Sequence, residues 1–188
     1  MADTESIGTL SEALVSELID AGRSVSVAES CTGGWIAKAL TDISGGSQCF
    51  GYGVVSYSNA AKESMLGVRP ASLREHGAVS EAVVGEMAEG VLNLSGADYA
   101  VAVSGIAGPD GGTEEKPVGT VWFGWAVRTG KKTSIDAEKH LIKGDREAVR
   151  SRTVILAMQG IRERLRNNGL SKTFLRTLAV GPATRNNA

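Results

Sequence analysis

Histidine and cysteine are scarce in this chain, with two of each among 188 residues. His76 and His140 stand alone, one in a connecting stretch and one in an expected edge strand. No Ser-His-Asp arrangement is attractive with so little imidazole to draw on. Cys31 and Cys49 have neither the number nor the spacing of a disulfide framework or a zinc site. Both read as reduced, buried thiols, although Cys31 would be reactive if its pKa were lowered. Charge of one sign is lacking too: the formal net charge is −1, which gives no global attraction to nucleic acid or to a membrane surface. No apolar run approaches the ~20 residues of a membrane-spanning helix. Asp3 and Glu5 stand where a signal peptide would carry basic residues, so the cytoplasm is the expected location.

What is present is ordinary in amount and informative in order. The hydrophobic fraction is 42% and the charged fraction 22%, as in a globular domain, and the length suits one core. Leu10, Leu14, Val15, Leu18 and Ile19 form one face of a helix expected over 9–21, with Thr9 and Glu12 as a capping box. A short strand is expected over 24–28, a second helix after Ser30, and a strand over 50–56. A short helix is expected over 59–66, capped by Ser58, then a connector over 70–76 and a long helix starting at Ser80. A strand over 98–104, a glycine-rich loop, a hairpin of strands over 119–128 and 133–142, and a helix over 145–166 complete the order. Alternating helices and strands followed by a hairpin predict an α/β fold, a three-layer α/β/α domain with a mixed sheet, in one domain over 1–166. The remaining 167–188 read as a loosely held extension.

Four segments carry candidate chemistry. Ala28-Glu29-Ser30-Cys31-Thr32-Gly33-Gly34-Trp35 joins an expected strand to an expected helix, where α/β domains place ligands. Thr32, Gly33 and Gly34 offer backbone N–H groups to an anion or oxyanion at a helix start. Ser30 or Thr32 serving simply as the N-cap explains the same residues. Tyr57 and Lys62 follow the next strand: the lysine is a base only if desolvation, a nearby cation or the helix dipole lowers its pKa. Tyr57 would hold the amine or relay a proton, and an exposed lysine and strand-end tyrosine are the bland alternative. Ser104-Gly105-Ile106-Ala107-Gly108-Pro109 also follows a strand but lacks the ending of a P-loop. Arg146, in the first turn of the last helix, fits a phosphate clamp or a carboxylate partner.

Together these pieces resemble the CinA C-terminal domain family. The likeness also takes in Gly51-Tyr52, Gly77-Ala78-Val79-Ser80, Lys116-Pro117-Val118-Gly119-Thr120-Val121 and Gly144-Asp145-Arg146 with Arg150. It runs from about Leu10 to Leu165. The resemblance implies a stand-alone amidohydrolase that converts nicotinamide mononucleotide to nicotinate mononucleotide and ammonia. It implies Ser30 as nucleophile, Lys62 as base and Tyr57 as assistant, with an α/β/α fold and a homo-oligomer. Glu29, Thr32, Gly33, Gly34, Ser104, Gly105, Thr120 and Arg146 are the expected substrate contacts, and no metal or cofactor is expected. The N-terminal domain of full-length CinA proteins, linked to ADP-ribose pyrophosphatase activity, is not expected here, and its metal dependence is not carried over. A non-catalytic nucleotide-binding module acting through protein partners in competence or DNA repair is the alternative function.

Overall fold

The computed structural model describes the backbone of residues 6–179 and the side chains of residues 6–168. In chain order the elements are α1 (Ile7–Asp20), β1 (Val25–Glu29), α2 (Trp35–Thr41), β2 (Phe50–Val55), α3 (Asn59–Leu66), α4 (Pro70–His76), α5 (Glu81–Ser95), β3 (Tyr99–Gly105), β4 (Thr120–Thr129), β5 (Lys132–Leu141) and α6 (Arg146–Ala179). The five strands form one sheet in the order β2-β1-β3-β4-β5. β1 is parallel to β2 and to β3, whereas β4 is antiparallel to both β3 and β5. The mixed sheet expected from the sequence is therefore present.

Alternation along the strands builds two unequal faces. Val25, Val27, Tyr99, Val101, Val103, Val121, Phe123, Trp125 and Val127 pack with α1, α2 and α6 in one core layer. Small residues among those between them, Ala28, Ala100, Ala102 and Ala126, face the layer that holds α5. Gly124 shows why, since a Cβ there would lie 2.4 Å from the carbonyl oxygen of Val84 in α5. Small residues thus let α5 approach the sheet backbone, while large ones fill the opposite layer. Trp125 anchors α6: its Nε1–H donates to the carbonyl of Ala157 at 3.2 Å, and the Arg164 guanidinium lies 4.2 Å from its ring centroid. Truncating so large a buried ring would cost about 3–5 kcal/mol.

Three local expectations change. Ser6, not Thr9, caps α1, its Oγ accepting the N–H of Thr9. The stretch 70–76 is a helix rather than a connector, with Pro70 in its first turn, where a missing N–H costs nothing, and Gly77 at its end. The last helix continues to Ala179, through much of the expected extension, and residues 180–188 lie outside the described residues. Ser58 caps α3 and Ser80 caps α5, as expected.

The order 2-1-3 at the parallel end has a consequence for function. β1 has its sequence neighbours on opposite sides, so the connections leaving β1 and entering β3 run over opposite faces of the sheet. Such a switch point opens a crevice at the carboxyl ends of the strands. Ser30 and Ser104 both sit there, the first directly after β1 and the second as the penultimate residue of β3.

Candidate active site

Ser30 follows β1 directly, and its N–H donates to the carbonyl of Val103 at 3.1 Å, tying the start of the turn to β3. The chain then turns through Gly33 and Gly34 at φ +63° and +98°. A left-handed conformation costs other residues roughly 1–2 kcal/mol each, so the two glycines are required by the turn itself.

Neither Ser30 nor Thr32 caps the helix that follows. The cap position belongs to Gly34, which has no side chain to offer. Glu29, the last residue of β1, supplies the cap instead. Its Oε2 accepts the N–H groups of Gly34 and Ile36, both at 3.0 Å, and its Oε1 accepts that of Ala37 at 2.8 Å. A carboxylate at this position meets both the orphan donors and the positive end of the helix. Glu29 is fully buried, and its oxygens are committed to α2. The structure gives Glu29, expected among the substrate contacts, a capping duty at the start of α2.

The same bonds revise the expected oxyanion donors. Gly34 has spent its N–H on Glu29, and Gly33 donates to the carbonyl of Ser30 at 3.2 Å. The amides of Cys31 and Thr32 donate to no backbone acceptor among the described residues. They are the ones left for an incoming oxygen. Thr32 itself is buried, and its Oγ1 has no hydrogen-bond partner among the described residues. Cys31 is buried beside Ser30, and burial pushes its thiol up to about 12. It is an inert thiol rather than a second nucleophile.

Lys62 reaches Ser30. The fourth residue of α3, it lies 1% exposed, with Nζ 3.0 Å from Ser30 Oγ and 2.7 Å from the carbonyl oxygen of Ser56, to which it donates. No ion pair of Lys62 is found among the described residues. Burial holds its amine below the ordinary lysine value, because an ammonium without a carboxylate partner is poorly solvated there. Nζ donates to both oxygens, and an amine so placed would turn a lone pair toward the Ser30 hydroxyl once it lost a proton. The carbonyl of Ser56 had no signal in the sequence, since any residue type supplies it.

Tyr57 stands apart from this pair. Its side chain is largely exposed, and its hydroxyl accepts from Arg146 Nη2 at 3.3 Å. Among the described residues it makes no hydrogen bond to Ser30 or Lys62. Arg146 Nη1 also donates to the carbonyl of Gly108 at 2.8 Å, so this arginine ties Tyr57 to the loop after β3. Ser104 is buried, its Oγ donating to the carbonyl of Ala78 at 2.8 Å. Gly105 packs against β4, where a Cβ would lie 2.7 Å from Val121 Cγ2. Thr120 is buried with its Oγ1 unpartnered among the described residues. The structure thus joins Ser30 to Lys62 and Tyr57 to Arg146, and gives Ser104 and Gly105 packing duties. Among the described residues no group of three or more His, Cys, Asp or Glu side chains could hold a metal, and no helix is long and apolar enough to cross a membrane.

The order of strands, the glycine turn and the buried lysine define an α/β protein with a serine-lysine pair at its switch point. Residues 7–165 match the CinA C-terminal domain model, and the chain belongs to that family. It is 51% identical over 168 residues to the nicotinamide-nucleotide amidohydrolase PncC of Escherichia coli K12, covering 89% of this chain and 99% of that protein. The corresponding protein of Enterobacter agglomerans is 57% identical over 144 residues, covering 76% and 86% of the two chains. A competence-damaged protein (CinA) superfamily protein from Klebsiella pneumoniae has a solved structure with a TM-score of 0.81 at 42% identity, covering 86% of this chain and 99% of that one.

Proposed function

We propose that this protein hydrolyses the carboxamide of nicotinamide mononucleotide, giving nicotinate mononucleotide and ammonia. The observation that carries the reading is the buried amine of Lys62 at 3.0 Å from Ser30 Oγ, with no ion pair among the described residues. A module that only binds nucleotides has no use for a buried amine held beside a hydroxyl, with its pKa lowered by that burial. The relatives named for this activity match nearly full-length, which supports the choice of substrate.

Neutral Lys62 accepts the proton of Ser30 as Oγ bonds to the carboxamide carbon. The carbonyl oxygen becomes an oxyanion held by the N–H groups of Cys31 and Thr32. The ammonium of Lys62 then protonates the amide nitrogen, the carbon–nitrogen bond breaks, and ammonia leaves. Water, deprotonated by Lys62, attacks the Ser30 ester, and the proton returns to Oγ as the acid departs. Tyr57 and Arg146, paired at the rim, contact the nucleotide, with Arg146 as the phosphate donor.

Ammonia release from nicotinamide mononucleotide, free nicotinamide and the dinucleotide tests the proposal. Turnover of the mononucleotide well above the other two supports it. Equal rates on all three point to a general amidase, and no release from any leaves the non-catalytic alternative.

A further inference from the structure

One charged side chain grips the nucleophile turn without touching the nucleophile. Arg150, one turn beyond Arg146 on α6, donates from Nε to the carbonyl of Cys31 at 3.1 Å and from Nη2 to that of Thr32 at 2.9 Å. Its guanidinium lies 5.4 Å from the ring centroid of Trp35, at the start of α2. The fork is therefore held on a third side as well.

We propose that Arg150 is a positioning residue that sets the oxyanion site, an assignment that rests on the amidohydrolase reading above. A peptide unit is planar and trans, so its C=O and N–H point in opposite directions. The carbonyl of Cys31 shares its plane with the N–H of Thr32, and the carbonyl of Thr32 shares its plane with the N–H of Gly33. By binding both carbonyls, Arg150 fixes two successive planes and turns both N–H groups away from itself. One of them, that of Gly33, closes the turn on Ser30, and the other, that of Thr32, stays unclaimed among the described residues. The turn needs such a hold. Gly33 and Gly34 follow in left-handed conformations that glycine leaves as readily as it enters. Planar bidentate donation is also a property of arginine that lysine cannot reproduce. The positive fork further polarises both peptides and strengthens their N–H groups as donors.

A purely structural strut between α6 and α2 predicts a different outcome from a positioning residue. The test is steady-state ammonia release from nicotinamide mononucleotide by the wild type, Arg150→Met and Arg150→Lys, with thermal unfolding of each and with low millimolar guanidinium added to each. The expected result is a fall of about 100-fold in kcat for Arg150→Met with KM nearly unchanged, the size of loss that a misplaced catalytic group produces. Arg150→Lys falls by an intermediate factor, and guanidinium restores part of kcat to Arg150→Met while leaving Lys62→Met unaffected. Wild-type kcat in Arg150→Met, or a loss matching only the unfolded fraction, overturns the proposal. So does a rise in KM with kcat preserved, which would make Arg150 a substrate contact. If Arg150→Met does not fold, Arg150→Lys decides: full kcat in that variant overturns the role. A wild type that releases no ammonia overturns the activity reading itself, and this role with it.

Discussion

Two glycine-rich turns leave the carboxyl ends of neighbouring parallel strands in this protein, and each begins with a serine. At the end of β1 the hydroxyl of Ser30 meets a buried amine 3.0 Å away. At the end of β3 the hydroxyl of Ser104 donates to the carbonyl of Ala78 at 2.8 Å. The glycines differ in the same sense. Gly33 and Gly34 take left-handed conformations that shape the turn around Ser30, whereas Gly105 makes room for β4. The residue types at the two turns are alike, and their chemistry is set by what the rest of the fold brings against them. Lys62 and Arg150 arrive at the first turn from α3 and α6. Arg146 reaches the carbonyl of Gly108 further along the second, but among the described residues no cationic side chain bonds Ser104 itself.

Substitutions at matched positions can break this contrast. Ser30→Ala should lower ammonia release by at least about 10⁴-fold, the scale on which loss of a nucleophile is felt. An equal loss in Ser104→Ala would erase the distinction between the turns. Lys62→Met should lower kcat by roughly 10²–10⁴-fold while leaving thermal stability at or above the wild-type value, since an apolar side chain replaces a buried amine. A destabilised but active Lys62→Met would give the lysine a structural duty instead. Glu29→Gln should cost about 2 kcal/mol in chemical denaturation, because three charge-assisted hydrogen bonds to α2 are weakened. Ser104→Ala should cost only about 1 kcal/mol, with kcat nearly unchanged.

Much of the fold was legible in the sequence because it is written in periodicity. The apolar stripe of α1 through Leu10, Leu14, Val15 and Leu18 and the caps Ser58 and Ser80 could be read directly. Pro70 was harder, because a helix of seven residues has too few positions to show a period. At the site, Ser30 and Lys62 were named from residue type and the resemblance, and their contact came from the fold. The capping duty of Glu29 was not legible, because its partners are the backbone amides of Gly34, Ile36 and Ala37, which no residue type marks. Arg150 had a faint signal, lying four residues after Arg146 and so on the same helical face. Its targets are backbone carbonyls, which no residue pattern marks.

The pH dependence of kcat/KM for nicotinamide mononucleotide asks most directly whether a neutral lysine is the base. Burial lowers the Lys62 pKa, so the unfolded chain holds that proton more tightly than the native one. Both activity and stability should then rise with pH across the window between the lowered value and the ordinary lysine value of about 10.4. A single ascending limb with its midpoint below that ordinary value, absent from the residual activity of Lys62→Met, is the expected result. A flat profile in the wild type, or the same limb surviving in Lys62→Met, would contradict the serine-lysine mechanism.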